Sequence, residues 1–211
     1  MRNESVLLYG VQGFGDQILY LSMLDTFAGQ AGALTVSLEP RLVNLVQRSF
    51  AHVKVMDIAS ALAQTPGESH LGMGSLGRYC RNSWDDFPLP RQAYLKADPA
   101  CTAQLRTTLT ARKKKVCGLS WISKGQAGNF KSMKLQDLRP LFDLPNFEFV
   151  DLQYGDTTAQ RQALHAATGV QLLHLPEVDL TQDIDGVAAL ISACDVIVTI
   201  SNTTAFSWCT G

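Results

Sequence analysis

Short apolar runs alternate with helix-patterned stretches from one end of this chain to the other, and that alternation constrains the fold more than any other feature. Residues 6–9, 34–38, 53–56, 116–122, 147–152 and 196–200 form such runs, most of them without the strict in–out alternation of a half-exposed strand. Strands of this kind are covered on both faces, as in parallel sheets flanked by helices. The intervening segments carry helix signals. Residues 16–27 place Ile18, Leu21 and Leu24 about one turn apart, and Pro40 suits the first turn of a helix ending near Phe50. Asp98-Pro99 opens another helix, and Gly169 closes one over residues 157–168. Further strands are expected near residues 70–73 and at 172–175, and further helices at 135–142 and 183–194. The fold class this predicts is α/β with parallel sheets.

The alternation breaks around residues 97–115 and begins afresh at Val116. Two Rossmann-like lobes are therefore expected, residues 1–96 and 116–211, joined by a linker and helix at 97–115. The basic run 112–115 reads most simply as a solvated helix end that complements the helix dipole. With 211 residues the chain can bury a core in each lobe. A net charge of −1 gives no electrostatic footprint for nucleic acid or an anionic membrane. No apolar run reaches membrane-spanning length, and Met1-Arg-Asn-Glu-Ser5 lacks the apolar core of a signal peptide. The five cysteines (80, 101, 117, 194 and 209) are scattered and odd in number, which points to free, mostly buried thiols in a reducing cytoplasm. Neither they nor histidines 52, 70, 165 and 174 show metal-ligand spacing, so no metal is expected.

Two clusters carry chemistry. Gly10-Val-Gln-Gly-Phe-Gly-Asp16 follows the first strand and opens a helix. Gly13 and Gly15 there allow a substrate close to the backbone, and the helix start favours an anionic or polar ligand. Its glycine spacing is not G-x-G-x-x-G, and no acidic residue is placed to hold a ribose, so a nicotinamide cofactor is disfavoured. Asp16 is either a functional carboxylate or a helix-capping residue. The second cluster is Ser120-Trp-Ile-Ser-Lys124 followed by Lys131-Ser-Met-Lys134. A strand-end loop bearing several ammonium groups suits a phosphate, although an exposed basic loop accounts for the same residues. Near the end, Ser201, Asn202, Thr203 and Thr204 follow the last apolar run as helix-capping residues would. No nucleophile elbow and no P-loop is present.

Taken in order, these pieces resemble glycosyltransferase family 9, which includes the heptosyltransferases of lipopolysaccharide assembly. The matching motifs are Gln12-Gly-Phe-Gly-Asp-Gln-Ile18, then Trp121-Ile-Ser-Lys124 with Lys131-Ser132, then Asp179-Leu-Thr-Gln-Asp-Ile184 running on to Ser201-Asn-Thr-Thr-Ala205. The closer likeness is to the branch carried by tetratricopeptide-repeat proteins. The resemblance implies a GT-B architecture with the active site in a cleft between two lobes. It implies metal-independent transfer of a sugar from a nucleotide-sugar donor to an acceptor hydroxyl, with inversion. Asp16 matches the family's base on the acceptor hydroxyl. Lys131 matches the lysine that meets the donor diphosphate, Ser132 its neighbour, and Asn202, Thr203 and Thr204 the donor-phosphate turn. Gly13, Gly15, Gln17, Trp121 and Lys124 would line the cleft. Many family members carry Asp where this chain has Asn202. A non-catalytic module that binds a sugar or nucleotide sugar is the alternative.

The final residues depart from the family. The family continues Thr-Ala-His-Leu-Ala-Gly-Ala-Leu-Gly, whereas this chain reads Thr204-Ala-Phe-Ser-Trp-Cys-Thr-Gly211. The codons GCA CAT TTA GCT GGT GCA CTG GG encode the family's version. Loss of the CA after the first codon gives GCA TTT AGC TGG TGC ACT GGG, which encodes residues 205–211. Residues 206–211 are therefore expected to be an out-of-frame reading of the family motif. On that expectation the second lobe is incomplete and its phosphate-binding helix absent. The chain itself would not catalyse transfer, and the exposed edge of its second sheet would favour a homo-oligomer.

Overall fold

The computed structural model describes residues 4–64, 69–87, 93–110, 113–124 and 128–207. The chain forms two compact units, the first ending at Lys96 and the second beginning at Ala97. Each is built around one parallel sheet.

The first sheet holds β1 (Ser5–Tyr9), β2 (Ala33–Leu38), β3 (Lys54–Asp57) and β4 (Ser69–Gly72), in the order β3-β2-β1-β4. All pairings are parallel: Leu8 of β1 sits beside Val36 of β2 on one side and Leu71 of β4 on the other. Central residues of β1 and β2 are buried, Leu8, Val36 and Leu38 completely. Helices bring Ile18, Leu21, Leu24, Phe27, Leu45 and Val46 to the same core. Burial of each large aliphatic side chain contributes about 1.5–3 kcal/mol, which outweighs the entropy of ordering its rotamers. The single helix expected over 16–27 is two, Phe14–Leu21 and Leu24–Ala28. They part where the Ser22 hydroxyl donates to the Leu19 carbonyl at 2.7 Å and competes with the helix ladder.

The second sheet holds β5 (Lys115–Ser120), β6 (Phe147–Asp151) and β7 (Val196–Thr199), in the order β6-β5-β7, again all parallel. Gly118 lies at the centre of β5, and a Cβ there would stand 2.3 Å from Leu152 and 2.8 Å from Ile197. Glycine thus lets side chains of both neighbouring strands close over the sheet. The helix Pro99–Leu109, read from sequence as part of the connection, packs into this core through Leu105 and Leu109 against Val187 and Leu190. Its Arg106 forms a paired contact with Asp195 at 2.8 and 2.9 Å, and the Val116 N–H donates to the same carboxylate at 2.7 Å. Asp98 and Asp183 cap their helices by accepting the N–H groups of Cys101 and Gly186. Gly169, with φ of 73°, closes the helix Thr158–Thr168 in the left-handed conformation.

Two further expectations need correcting. Residues 172–175 are not a strand: only Leu173 pairs, as a single bridge to Val150. Pro176 follows at once and lacks the N–H needed to continue a ladder. The helix expected to be missing after Thr204 begins, as Thr203–Ser207. Residues 208–211 of the reframed stretch lie outside the described residues.

Candidate functional site

In open α/β sheets, ligands gather beyond the carboxyl ends of the strands, where the strand order reverses. In the second sheet that point lies between β5 and β7, and in the first between β1 and β4.

Ser120 ends β5 and is buried at the reversal point of the second sheet. Its hydroxyl accepts from Asn202 Nδ2 at 2.8 Å and lies 3.5 Å from the Thr204 hydroxyl. Asn202 also donates to the Ile122 carbonyl at 3.3 Å, and its own Oδ1 accepts from the Ala205 N–H at 3.4 Å. Asn202 and Thr204 are 6% and 5% exposed. They pin the end of β7 to the end of β5, and Asn202 caps the short helix Thr203–Ser207. Thr203 is half-buried beside them.

Beyond Ser120 the chain forms one wall of a hollow of about 580 Å³. Trp121, Ser123, Lys124, Ser132, Met133, Lys134 and Gln160 line it. Trp121 is 1% exposed and belongs to a core cluster with Phe142 and Phe149; its indole N–H donates to Gln160 Oε1 at 2.6 Å. Ser132 Oγ accepts the Ser123 N–H at 3.0 Å and joins the two sides of the wall. Lys131 ends the helix Gly128–Lys131, one residue before Ser132, and is exposed outside the lining of the hollow. Lys124 and Ser132 are thus brought together, with Lys134 as a second ammonium.

The residue that organises the wall was not singled out from the sequence. Gln153 is 1% exposed, and its Oε1 accepts from Trp121 N at 2.9 Å, Ile122 N at 2.7 Å and the Ser120 hydroxyl at 3.2 Å. Its own N–H donates to Asp151 at 2.9 Å. Asp151 is buried and also accepts from the Thr157 hydroxyl, with Arg161 Nε at 3.3 Å and His174 Nδ1 at 3.7 Å. Burial pushes the Asp151 carboxyl up despite these partners. A lone glutamine two residues beyond a strand carries no sequence signature, so only its hydrogen bonds reveal it.

In the first unit, Asp16 lies in the first turn of Phe14–Leu21, half-buried, and its Oδ2 accepts the Gly13 N–H at 3.0 Å. Gly13 is exposed and Gly15 half-buried. Gln17 is 5% exposed and points away from solvent, with Oε1 accepting the Glu39 N–H at 3.1 Å. A Cβ on Gly10 would come within 2.6 Å of that oxygen, so Gln17 locks the β1 turn against the end of β2. Gln12 holds a φ of 63°, unusual for a residue with a side chain, and its amide oxygen accepts from the Tyr20 hydroxyl. A separate hollow of about 420 Å³ in this unit is lined by Leu7, Tyr9, Ile58, Leu62 and His70 and does not include Asp16.

The four described cysteines are free. Burial pushes the Cys117 thiol up to about 11 and Cys194 to about 12, so neither serves as a nucleophile at neutral pH. Among the described residues no group of three or more His, Cys, Asp or Glu side chains is placed to hold a metal ion, and no helix is long and apolar enough to cross a membrane.

Among solved structures, the chain is similar to the ADP-heptose lipopolysaccharide heptosyltransferase II of E. coli. The TM-score is 0.67 at 16% identity, over 97% of this chain and 81% of that one. A family 9 glycosyl transferase from Veillonella parvula gives 0.61 at 10% identity, over 99% and 78%. The fold is GT-B-like. The dodecameric iron-containing glycosyltransferase TibC of E. coli gives 0.58 at 12% identity, over 99% of this chain and 56% of that one. Among curated proteins, FlbA of Caulobacter vibrioides is 28% identical over 97% of this chain. The chain spans only 37% of FlbA's length. No protein-family model matches the chain.

Proposed function

We propose that this chain belongs to a family 9 type glycosyltransferase of the branch associated with tetratricopeptide repeats. Its second unit would hold the diphosphate of a nucleotide-sugar donor, and its first unit would activate an acceptor hydroxyl. The observation that carries this reading is the hollow beyond the end of β5, where Lys124, Lys134, Ser123 and Ser132 converge. A GT-B-like fold with such a wall is what a sugar nucleotide needs. The likeness to an ADP-heptose enzyme supports an ADP-linked donor.

In the reaction, the acceptor O–H gives its proton to the Asp16 carboxylate as its oxygen bonds the anomeric carbon. The bond from that carbon to the diphosphate breaks, and the nucleoside diphosphate leaves with the electron pair. Ammonium groups of Lys124 and Lys134 stabilise its charge as it develops, so no metal is required. Attack opposite the leaving group inverts the anomeric centre.

A second reading, a module that binds a nucleotide sugar without turnover, is favoured by one observation. Asp16 already caps its own helix through the Gly13 N–H.

Calorimetry with ADP, UDP and adenosine tests donor binding. Lys134→Ala is expected to weaken ADP by about tenfold or more, the value of a charge-assisted contact, and to leave adenosine unchanged. Equal effects on both would remove Lys134 from the phosphate site. Release of ADP from ADP-heptose in the presence of acceptor supports transfer, and binding without release supports the module.

A further inference from the structure

Four consecutive backbone N–H groups follow β5, on Trp121, Ile122, Ser123 and Lys124. In many α/β proteins such a run forms a nest that holds phosphate oxygens directly. Here each is taken by a side-chain oxygen of the protein itself. Gln153 Oε1 accepts the first two at 2.9 and 2.7 Å, Ser132 Oγ the third at 3.0 Å, and the Tyr154 hydroxyl the fourth at 2.9 Å. A diphosphate entering the hollow therefore meets no free backbone donor on residues 121–124.

The charge that remains on the loop is the Lys124 ammonium, and both ends of that residue are held by one neighbouring turn. Tyr154 takes its backbone N–H and also lies beneath its side chain, with Nζ 5.6 Å from the ring centroid. A cation over a tyrosine face is attracted by the ring. Gly155 adopts a φ of +90°, and a Cβ there would stand 2.6 Å from Lys124 Nζ. Glycine at this place thus leaves the room that the ammonium occupies.

We propose that Tyr154 and Gly155 are positioning residues for Lys124, and that this ammonium, not the backbone of residues 121–124, supplies that stretch's grip on a diphosphate. The inference rests on the donor-binding reading above and deepens it. It means that the site recognises phosphate as charge, with little of the directional selectivity that a backbone nest provides.

Inorganic pyrophosphate and ADP, titrated by calorimetry into the full chain, test this. Tyr154→Phe keeps the ring and loses the acceptor for the Lys124 N–H, and Gly155→Ala fills the space beside Nζ. Each is expected to weaken pyrophosphate by about tenfold, in line with the loss of one charge-assisted contact. In a Lys124→Gln background the same changes should cost less than about twofold, because residues that act through one partner are not additive with its loss. Adenosine binding should be unaffected throughout. If pyrophosphate and ADP bind the unaltered chain but the losses are the same in both backgrounds, the positioning role is overturned while the donor site stands. If neither ligand binds the unaltered chain, the donor reading fails and the inference fails with it.

Discussion

Replacing Gln153 with alanine removes the acceptor around which the β5 exit is built. The Trp121 amide, on a residue 1% exposed, then has no partner, and a buried orphan N–H costs about 1–3 kcal/mol. The Ile122 amide is on a half-buried residue that water can reach, so its loss adds about 0.5–1 kcal/mol. Ser120 keeps its bond from Asn202 and contributes little. The sum, about 1.5–4 kcal/mol, is large against a domain stability of about 5–15 kcal/mol. Urea unfolding followed by near-UV circular dichroism should show the lower midpoint. Amide hydrogen exchange at residues 121 and 122 should accelerate by about 10²-fold or more. Gln153→Glu keeps the acceptor but sets a second carboxylate beside buried Asp151, whose oxygen takes the Gln153 N–H at 2.9 Å. It should be destabilised at neutral pH and recover as pH falls and the new carboxyl protonates. Unchanged unfolding and unchanged exchange in Gln153→Ala would show that the loop is held by other contacts.

Three more expectations follow from the same geometry. The Arg106 hydrogen bond is the main cause that holds the Asp195 carboxyl below the usual carboxylate range. That stability is fully present above an unfolded value near 3.9 and lost as pH falls through the lower folded one. Asp195→Asn should therefore unfold about 1–2 kcal/mol more easily at pH 7 and match the unaltered chain in strong acid, and a constant difference at all pH values would refute the linkage. Asp16→Asn should lower transfer by about 10²–10⁴-fold if the carboxylate is the base, while an asparagine oxygen keeps the Gly13 N–H and stability barely moves; unchanged turnover would leave Asp16 as a cap. Among the described residues β7 pairs only with β5, and its Val196 is 40% exposed, so light scattering should report a dimer or larger species, against which a monomer would count.

Strands were the part of the fold most open to reading, because β1, β5 and β6 are short apolar runs that only a doubly covered parallel sheet can bury. Caps were nearly as clear at Asp98, Asp183 and Gly169, where one side chain or one left-handed glycine sets the helix boundary. What failed was local competition. Ser22 splits a helix whose apolar spacing continues past it, and Pro176 ends a strand after a single pairing. At the candidate site, residue type pointed to polar chemistry at Gln17, Asn202 and Thr204, yet the fold turns all three inward as ties between strand ends. Lys124 and Ser132 do meet at the hollow. Gln153 and Tyr154 escaped notice because their importance lies in which backbone groups they face, and that is a property of tertiary structure alone.

The contact between Arg106 and Asp195 joins residues separated by 89 positions, and β5 likewise waits for β7 as its second neighbour. Among the described residues the first sheet has all its strands once Gly72 has been made, whereas the second cannot close until synthesis has passed Thr199. Since domains fold as units as they leave the ribosome, the first unit should be formed while most of the second is still an open chain. For that interval the apolar strands β5 and β6 lack their third partner, so slow elongation between Asp151 and Val196 should lengthen the time they stay exposed.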